Sequence, residues 1–274
     1  MKLLLAVTIL MTLHLAQARS GKHSNRITNG NLAEAGQFPY QVGLNVSFGN
    51  ASTWCGGTLV SHRWILTAAH CMDGAERATV YLGAINITDR FEPGQKRYYV
   101  TSSQIVVHAN WTASTVANDI ALVKLPTFVE FSDRVRAADL PRGLNGSYSS
   151  YEQATAYASG WGRDSDSSNF MSPTLRYVAM PVMPHSRCKL FWGGSLSEKM
   201  ICMSTSSGRS TCHGDSGGPL IYKEDSNNYL IGITSFGLSM GCEIGFPSIF
   251  TRVTSYLDWI WQHIGANSRT ESNF

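Results

Sequence analysis

Charged side chains are scarce: Asp, Glu, Lys and Arg make up 15% of the 274 residues. That excludes a solvated coiled coil and a charge-rich disordered chain. A basic excess is missing too. The formal net charge is +3, but residues 1–26 hold Lys2, Arg19, Lys22 and Arg26 and no acid, which leaves 18 basic against 19 acidic residues in the remainder. Such a balance offers nothing to a nucleic acid or an anionic membrane. The longest apolar run, residues 3–15, is too short to span a bilayer. No repeat, no low-complexity tract, no C-x₂-C pair and no grouped histidines occur, which argues against repeat architectures and a structural zinc site.

What is present begins with a leader pattern. Lys2, the apolar run and the A-x-A site Ala16-Gln17-Ala18 read as a secretory signal peptide over residues 1–18. Residues 19–26, short and basic, read as an activation propeptide. The mature chain is therefore expected to be secreted and extracellular. Six cysteines, Cys55, Cys71, Cys188, Cys202, Cys212 and Cys242, then form a disulfide framework, though six cysteines allow fifteen pairings and spacing does not choose. Sequons occur at Asn45, Asn50, Asn86, Asn110 and Asn145. Asn86 and Asn145 lie in polar stretches suited to glycan; Asn45 follows a strand-like run and suits it less.

Short apolar runs bounded by Gly, Asn, Ser or Pro fall at 41–46, 57–60, 64–67, 79–82, 104–107 and 120–125. A second set falls at 155–159, 176–183, 219–222, 229–236 and 248–253. This spacing predicts an all-β sandwich or barrel. At the end, Tyr256, Trp259, Ile260, His263 and Ile264 recur at helical spacing, with Thr254 as an N-cap and Gly265 as a stop. A polar tail, 266–274, follows.

The stretch with the most chemistry is Cys212-His213-Gly214-Asp215-Ser216-Gly217-Gly218-Pro219-Leu220. Gly, Ser and Asp make turns anywhere. A serine ringed by glycines can also be a nucleophile with backbone N–H groups aimed at the atom it attacks. A serine hydroxyl needs a base, usually His, and a carboxylate to orient that base. Of the eight histidines, His70 in Thr67-Ala68-Ala69-His70-Cys71 stands among small residues with a cysteine to pin it. Asp119 heads the apolar run Ile120-Ala121-Leu122, where a buried acid needs a specific partner.

These residues, with Ile27-Thr28-Asn29-Gly30 and Gly160-Trp161-Gly162, resemble the chymotrypsin-like serine proteases over residues 27 to 264, in the order His, Asp, Ser. Within that family the chain is most similar to insect secreted digestive enzymes. The resemblance implies two six-stranded antiparallel β-barrels and a C-terminal helix, with the site between the barrels. The divisions expected are 27–135, 136–253 and 254–265. It implies His70 as general base, Asp119 as its orienter, Ser216 as nucleophile, and the Gly214 and Ser216 N–H groups as the oxyanion hole. It selects the pairs Cys55–Cys71, Cys188–Cys202 and Cys212–Cys242. Cleavage after Arg26 would free the Ile27 amine to pair with Asp215, with Thr28 departing from the usual aliphatic residue.

The primary pocket is expected from Ser210, Thr211 and Ser248, with Ser235, Phe236 and Gly237 along the substrate backbone and His213 near the mouth. None carries a fixed charge, so a cationic P1 side chain would lose its water without a counter-ion. The expected P1 residue is therefore large and apolar: Phe, Tyr, Leu or Met. Ser248 stands where the family usually has glycine and narrows the pocket, which keeps an elastase-like or broad collagenolytic specificity as the alternative. An inactive homologue acting as a binding protein is the rival class, disfavoured because all three triad residue types are kept. No cofactor and no metal are called for, since Ala84 follows Leu82-Gly83 where the family's calcium loop has an acid. Expected partners of this monomer are protein or peptide substrates, an activating trypsin-like protease and protein inhibitors.

Overall fold

The structure, a computed structural model, describes residues 27, 28, 30–143 and 148–265. The leader, the Arg26 cleavage point, Asn145 and the polar tail lie outside the described residues. Among the described residues no helix is long and apolar enough to cross a membrane.

Among the described residues, fourteen strands form two seven-stranded antiparallel sheets. They are β1 (Asn31–Leu32), β2 (Gln41–Phe48), β3 (Ala51–Leu59), β4 (Trp64–Thr67), β5 (Arg77–Leu82), β6 (Lys96–Thr101), β7 (Ile105–Val107) and β8 (Ala121–Lys124). Then come β9 (Thr155–Gly160), β10 (Arg176–Met183), β11 (Met200–Met203), β12 (Pro219–Glu224), β13 (Asn227–Phe236) and β14 (Ser248–Arg252). Three short helices are α1 (Ala69–Met72), α2 (His185–Trp192) and α3 (Leu257–Ile264).

The first sheet runs β6-β5-β2-β3-β4-β8-β7. Its two edges, β6 and β7, are joined by the single 3₁₀ turn Ser102–Gln104, so they are halves of one bent strand that closes the sheet. In the second sheet β9 pairs with both β12 and β10, closing the ring β9-β10-β11-β14-β13-β12 with β1 added on β10. Counted this way, each barrel has six strands, which removes open edges. Inward faces follow the pleat: along β5, Ala78, Val80 and Leu82 are buried while Arg77, Thr79 and Tyr81 are not.

The chain ends exchange barrels. Ile27 is fully buried in the core of the second barrel, among Val178, Ile201, Leu220 and Phe250. At the other end Tyr256, Leu257 and Ile260 join the core of the first. The helical stripe forms as expected, but a 3₁₀ turn, Val253–Tyr256, precedes α3, so Tyr256 rather than Thr254 sits at the N-cap, with no side-chain cap bond. Gly265 ends the helix at φ 88°. Between the barrels, Ser159 Oγ donates to Gln41 Oε1 at 2.6 Å, and the buried Trp161 ring meets Trp54 edge-on at 5.9 Å.

The disulfides join Cys55 to Cys71, Cys188 to Cys202 and Cys212 to Cys242. Each closes a loop worth roughly 3 kcal/mol in unfolded-chain entropy. One further clasp is electrostatic. Glu92 accepts the N–H groups of Ile85 at 2.9 Å and Asn86 at 2.8 Å, and Arg134 at 2.9 Å, tying the loop between β5 and β6 to the barrel. Hydrogen bonds to a charged acceptor are the stronger kind. Glu92→Ala is expected to lower the unfolding free energy by about 2–3 kcal/mol, measured in urea; an unchanged midpoint would contradict this role.

Candidate active site

His70 lies in the one-turn helix α1, pinned at its next residue by the Cys55–Cys71 bridge to β3. Asp119 is 1% exposed and ends a loop that passes through two left-handed residues, Val116 (φ 52°) and Asn118 (φ 57°), just before β8. A carboxylate buried this deeply needs donors, and it has them. His70 N–H donates to Asp119 Oδ1 at 2.9 Å, and His70 Nδ1 lies 2.8 Å from Oδ2. Ser235 Oγ donates a short bond to Oδ2, and Thr251 Oγ1 donates to the Asp119 carbonyl at 2.7 Å. This fixes the tautomer with the proton on Nδ1 and the lone pair on Nε2. The first sheet thus supplies the imidazole and the acid, and the second sheet reaches across to hold the acid. Ser235 was expected only as a substrate-binding residue; its contact with Asp119 has no local sequence signal.

Ser216 sits in the loop between β11 and β12. The loop is seated on the first barrel. Gly56 N–H donates to Ser216 O at 2.7 Å, and Gly217, at φ 78°, packs so tightly on Thr67 and Ala68 that any Cβ would collide with them. Thr67 Oγ1 in turn donates to Gly56 O at 2.8 Å. The serine loop is therefore docked on the residues just before His70. The Ser216 Oγ–His70 Nε2 bond itself is open; Nε2 lies 3.7 Å from Cys71 Sγ. Free enzymes commonly hold this contact long and tighten it on binding. Among the described residues, neither the Gly214 nor the Ser216 N–H has an acceptor. Both residues are half-buried, so these N–H groups are open to water or to a ligand.

Asp215, between them, has no exposed surface. Cys212 N–H donates to its Oδ2 at 2.9 Å and Gly162 N–H to its Oδ1 at 2.8 Å. Burial pushes its carboxyl up to about 6, against the opposing pull of those two bonds, and no charged side chain contributes. The Gly-Trp-Gly motif is explained here. A Cβ at Gly160 or Gly162 would fall on the Asp215 carboxylate, and the tryptophan between them anchors by donating Nε1–H to Ile85 O at 2.9 Å. Thr28, the unusual residue after Ile27, is also fully buried, and its Oγ1 donates to Ser210 O at 3.0 Å. The hydroxyl is absorbed by a hydrogen bond to the pocket floor.

Beside Ser216 opens a cavity of about 260 Å³, lined by Ser210, Thr211, His213, Phe236, Gly237 and Ser248 among others, with no Asp, Glu, Lys or Arg in its wall. Ser210 Oγ donates to Thr211 O at 2.8 Å and lies 2.8 Å from Ser248 Oγ. With Ser210's proton spent on the carbonyl, Ser248 donates to Ser210, so neither hydroxyl of this pair has a proton left for a ligand. Gly237 is exposed and a Cβ there would meet nothing within 4 Å, so the mouth is open. Phe236 and Phe246 line the cavity, and Trp192 backs both from outside the lining, edge-on to Phe236 at 5.1 Å and to Phe246 at 4.9 Å. Phe246 has no local sequence signal that marks it as a wall residue.

Two groupings of Cys with His or Asp occur among the described residues, Cys55/His70/Cys71 and Asp166/Cys212/Cys242. Their sulfurs are joined in disulfides, which removes the thiolate a metal needs. Of the sequons, Asn50 and Asn110 are exposed. Asn86 is half-buried with its Oδ1 accepting Thr88 N–H at 3.0 Å, and Asn45 lies inside β2.

Residues 27–260 match the family model described as Trypsin. The chain is 42% identical over 240 residues to Serine protease 1 of Drosophila melanogaster, covering 88% of this chain and 86% of that protein. It is 41% identical over 244 residues to the collagenase of Hypoderma lineatum, covering 88% of each. The solved structure of HL collagenase superposes with a TM-score of 0.77 at 39% identity, covering 86% of this chain and 98% of that one. Two closed barrels, a histidine held by a buried acid and a glycine-ringed serine beside a pocket accompany that match, and the chain belongs to the trypsin family of serine endopeptidases.

Proposed function

We propose that the protein is secreted as a zymogen, is activated by a trypsin-like protease after Arg26, and cuts protein or peptide substrates after large apolar residues. The observation that carries the specificity is the uncharged cavity beside Ser216, whose floor is the Ser210–Ser248 hydroxyl pair. A lysine or arginine entering it would be stripped of water with no counter-ion. A Phe, Tyr, Leu or Met side chain meets Phe236, Leu238 and Phe246 instead. The 42% identity to Serine protease 1 of Drosophila melanogaster supports serine-protease activity.

In the proposed cycle Ser216 Oγ bonds to the scissile carbonyl carbon and its proton passes to His70 Nε2. Asp119 holds Nδ1–H and steadies the imidazolium. The carbonyl oxygen, now anionic, accepts the N–H groups of Gly214 and Ser216. The C–N bond breaks and His70 returns the proton to the leaving amine. Water then attacks the acyl-enzyme, gives its proton to His70, and Ser216 leaves with that proton restored. Gly214, Ser216 and the pocket residues Ser210, Thr211, Ser235, Phe236, Gly237 and Ser248 are the groups that meet substrate in this reading. Ile27 and Asp215 are the activation pair.

A second reading, collagenolytic or elastase-like cleavage, is favoured by the relation to the collagenase of Hypoderma lineatum and by the Ser248 side chain in the floor. A peptide panel varied only at P1 separates the two. The proposed specificity gives kcat/KM at least a hundredfold higher after Phe, Tyr, Leu or Met than after Lys or Arg. Equal rates after small residues would move the assignment to the second reading, and faster cleavage after Lys or Arg would refute the pocket argument. Asp119→Asn is expected to lower kcat about 10⁴-fold at neutral pH, the size this change has in the trypsin-like triad, with KM little altered. A loss below tenfold would remove Asp119 from its role.

A further inference from the structure

Between β13 and β14 the chain forms one wall of the cavity beside Ser216, and this wall has almost no backbone support of its own. Residues 237–247 make three backbone N–H bonds among the described residues. One, Gly241 N–H to Leu238 O, is long at 3.4 Å. The other two end on a single carboxylate from a different loop. Cys242 N–H donates to Asp166 Oδ1 at 2.6 Å, and Glu243 N–H donates to Asp166 Oδ2 at 3.0 Å. Glu243 returns the contact, its Oε2 accepting Asp166 N–H at 2.7 Å.

The fit between the two loops is close. Gly241 has φ 150°, and a Cβ there would lie 2.6 Å from Asp166 Oδ2, so the wall's backbone comes to the carboxylate where a side chain would have held it off. Gly241 and Cys242 both line the cavity, and Cys242 is tied to Cys212, three residues before Asp215. The loop that carries Asp166 also braces the serine loop directly, since Arg163 N–H donates to His213 O at 2.8 Å. Each Asp166 oxygen takes one of the two N–H groups. An amide would turn an NH₂ toward one of them.

We propose that Asp166 is a positioning residue for P1 specificity: its carboxylate holds the 241–243 wall of the pocket in the place that a large side chain requires. It touches neither substrate nor the reacting atoms and acts through the backbone of Cys242 and Glu243. The inference rests on the reading of this cavity as the P1 pocket. Freed of Asp166, the wall keeps its disulfide and the bonds that Thr205 and Trp192 donate to the Phe246 and Pro247 carbonyls, but its 241–243 segment loses both N–H anchors. Binding of a bulky P1 group then weakens, while the His70–Asp119 geometry, more than one loop away, is untouched.

The test uses the Arg26-cleaved enzyme with Asp166→Asn and Asp166→Ala. Both variants are expected to raise KM about tenfold for P1 Phe and Leu substrates with kcat within about twofold, and to shrink the Leu-over-Ala preference by a similar factor. Labelling of Ser216 by a small sulfonyl fluoride with no P1-like group should proceed at the wild-type rate. The isosteric Asn variant should not rescue. Unchanged KM across the panel overturns the proposal, and so does a parallel fall in kcat and labelling, which would report general damage. If either variant fails to fold, Glu243→Ala, which removes only the return bond, should give a two- to threefold KM shift in the same direction; no shift overturns it. A wild-type panel without apolar preference would instead fault the pocket reading, because the wall's response to Asp166 is measured against whichever P1 residue the wild type favours.

Discussion

A carboxylate with no exposed surface and no neighbouring charge governs the second barrel. Asp215 is held by two backbone N–H groups, and they do not offset its burial, so its carboxyl is pushed up to about 6. An unfolded aspartate titrates near 3.9. As pH rises from about 4 to about 6 the unfolded chain therefore releases this proton first, and the intact chain loses stability over that window, by roughly 3 kcal/mol, with no further change above it. A cation placed beside Asp215 reverses the sign of that effect. The fully buried Ile27, in the same barrel's core, is the residue whose amine cleavage after Arg26 would free. The same loop carries Gly214 and Ser216, so whatever settles Asp215 also settles the donors that would receive the oxyanion.

Everything else in the site follows from docking one barrel on the other. Neither barrel holds a complete set of groups. The first gives His70 on a helical turn and Asp119 in its buried loop; the second gives the serine, the pocket and the Ser235 hydroxyl that completes the solvation of Asp119. Contact between Gly217 and Thr67-Ala68 sets how near the two halves come. The exchanged chain ends, Ile27 in one core and α3 on the other, fasten the arrangement from outside. A loop carboxylate, Asp166, does for the pocket wall what Asp215 does for the serine loop: it replaces missing sheet bonds with its own oxygens.

Much of this was legible in the sequence, and the limits have physical causes. Strands β4 and β10 match their apolar runs residue for residue and β14 matches within a residue: β10 alternates over most of its length, while β4 and β14 are short, nearly continuously buried runs with clear bounds. Strand β6, Lys-Arg-Tyr-Tyr-Val-Thr, has no apolar run to mark it: only Val100 is fully buried, and Lys96, Arg97 and Tyr98 are half-buried. Helix α2 mixes polar and apolar residues with only Cys188 buried, and β11 is four apolar residues buried throughout, so neither carries a period to detect. Residues with a local signature, such as Ser216 among glycines or Gly-Trp-Gly, could be found from their neighbours alone. Residues that act through long-range contacts could not: Ser235 on Asp119 spans 116 positions and Asp166 on Cys242 spans 76. The role of Thr28 was legible as an oddity but not as a hydrogen bond to Ser210, which only folding brings near.

In the proposed zymogen, the charge on Asp215 makes Ser216 competent only when a cation answers it. Stoichiometric labelling of Ser216 by a serine-directed phosphofluoridate, on intact and Arg26-cleaved protein from pH 7 to about 10.5, tests it most directly. An amine paired with a carboxylate titrates above its ordinary range of about 7.7–8.0. The account predicts near-complete labelling of the cleaved protein at pH 7, little labelling of the intact protein, and a reversible loss in the cleaved protein at alkaline pH as the amine sheds its proton. Equal labelling of both forms, with a flat profile up to about pH 10, would contradict it.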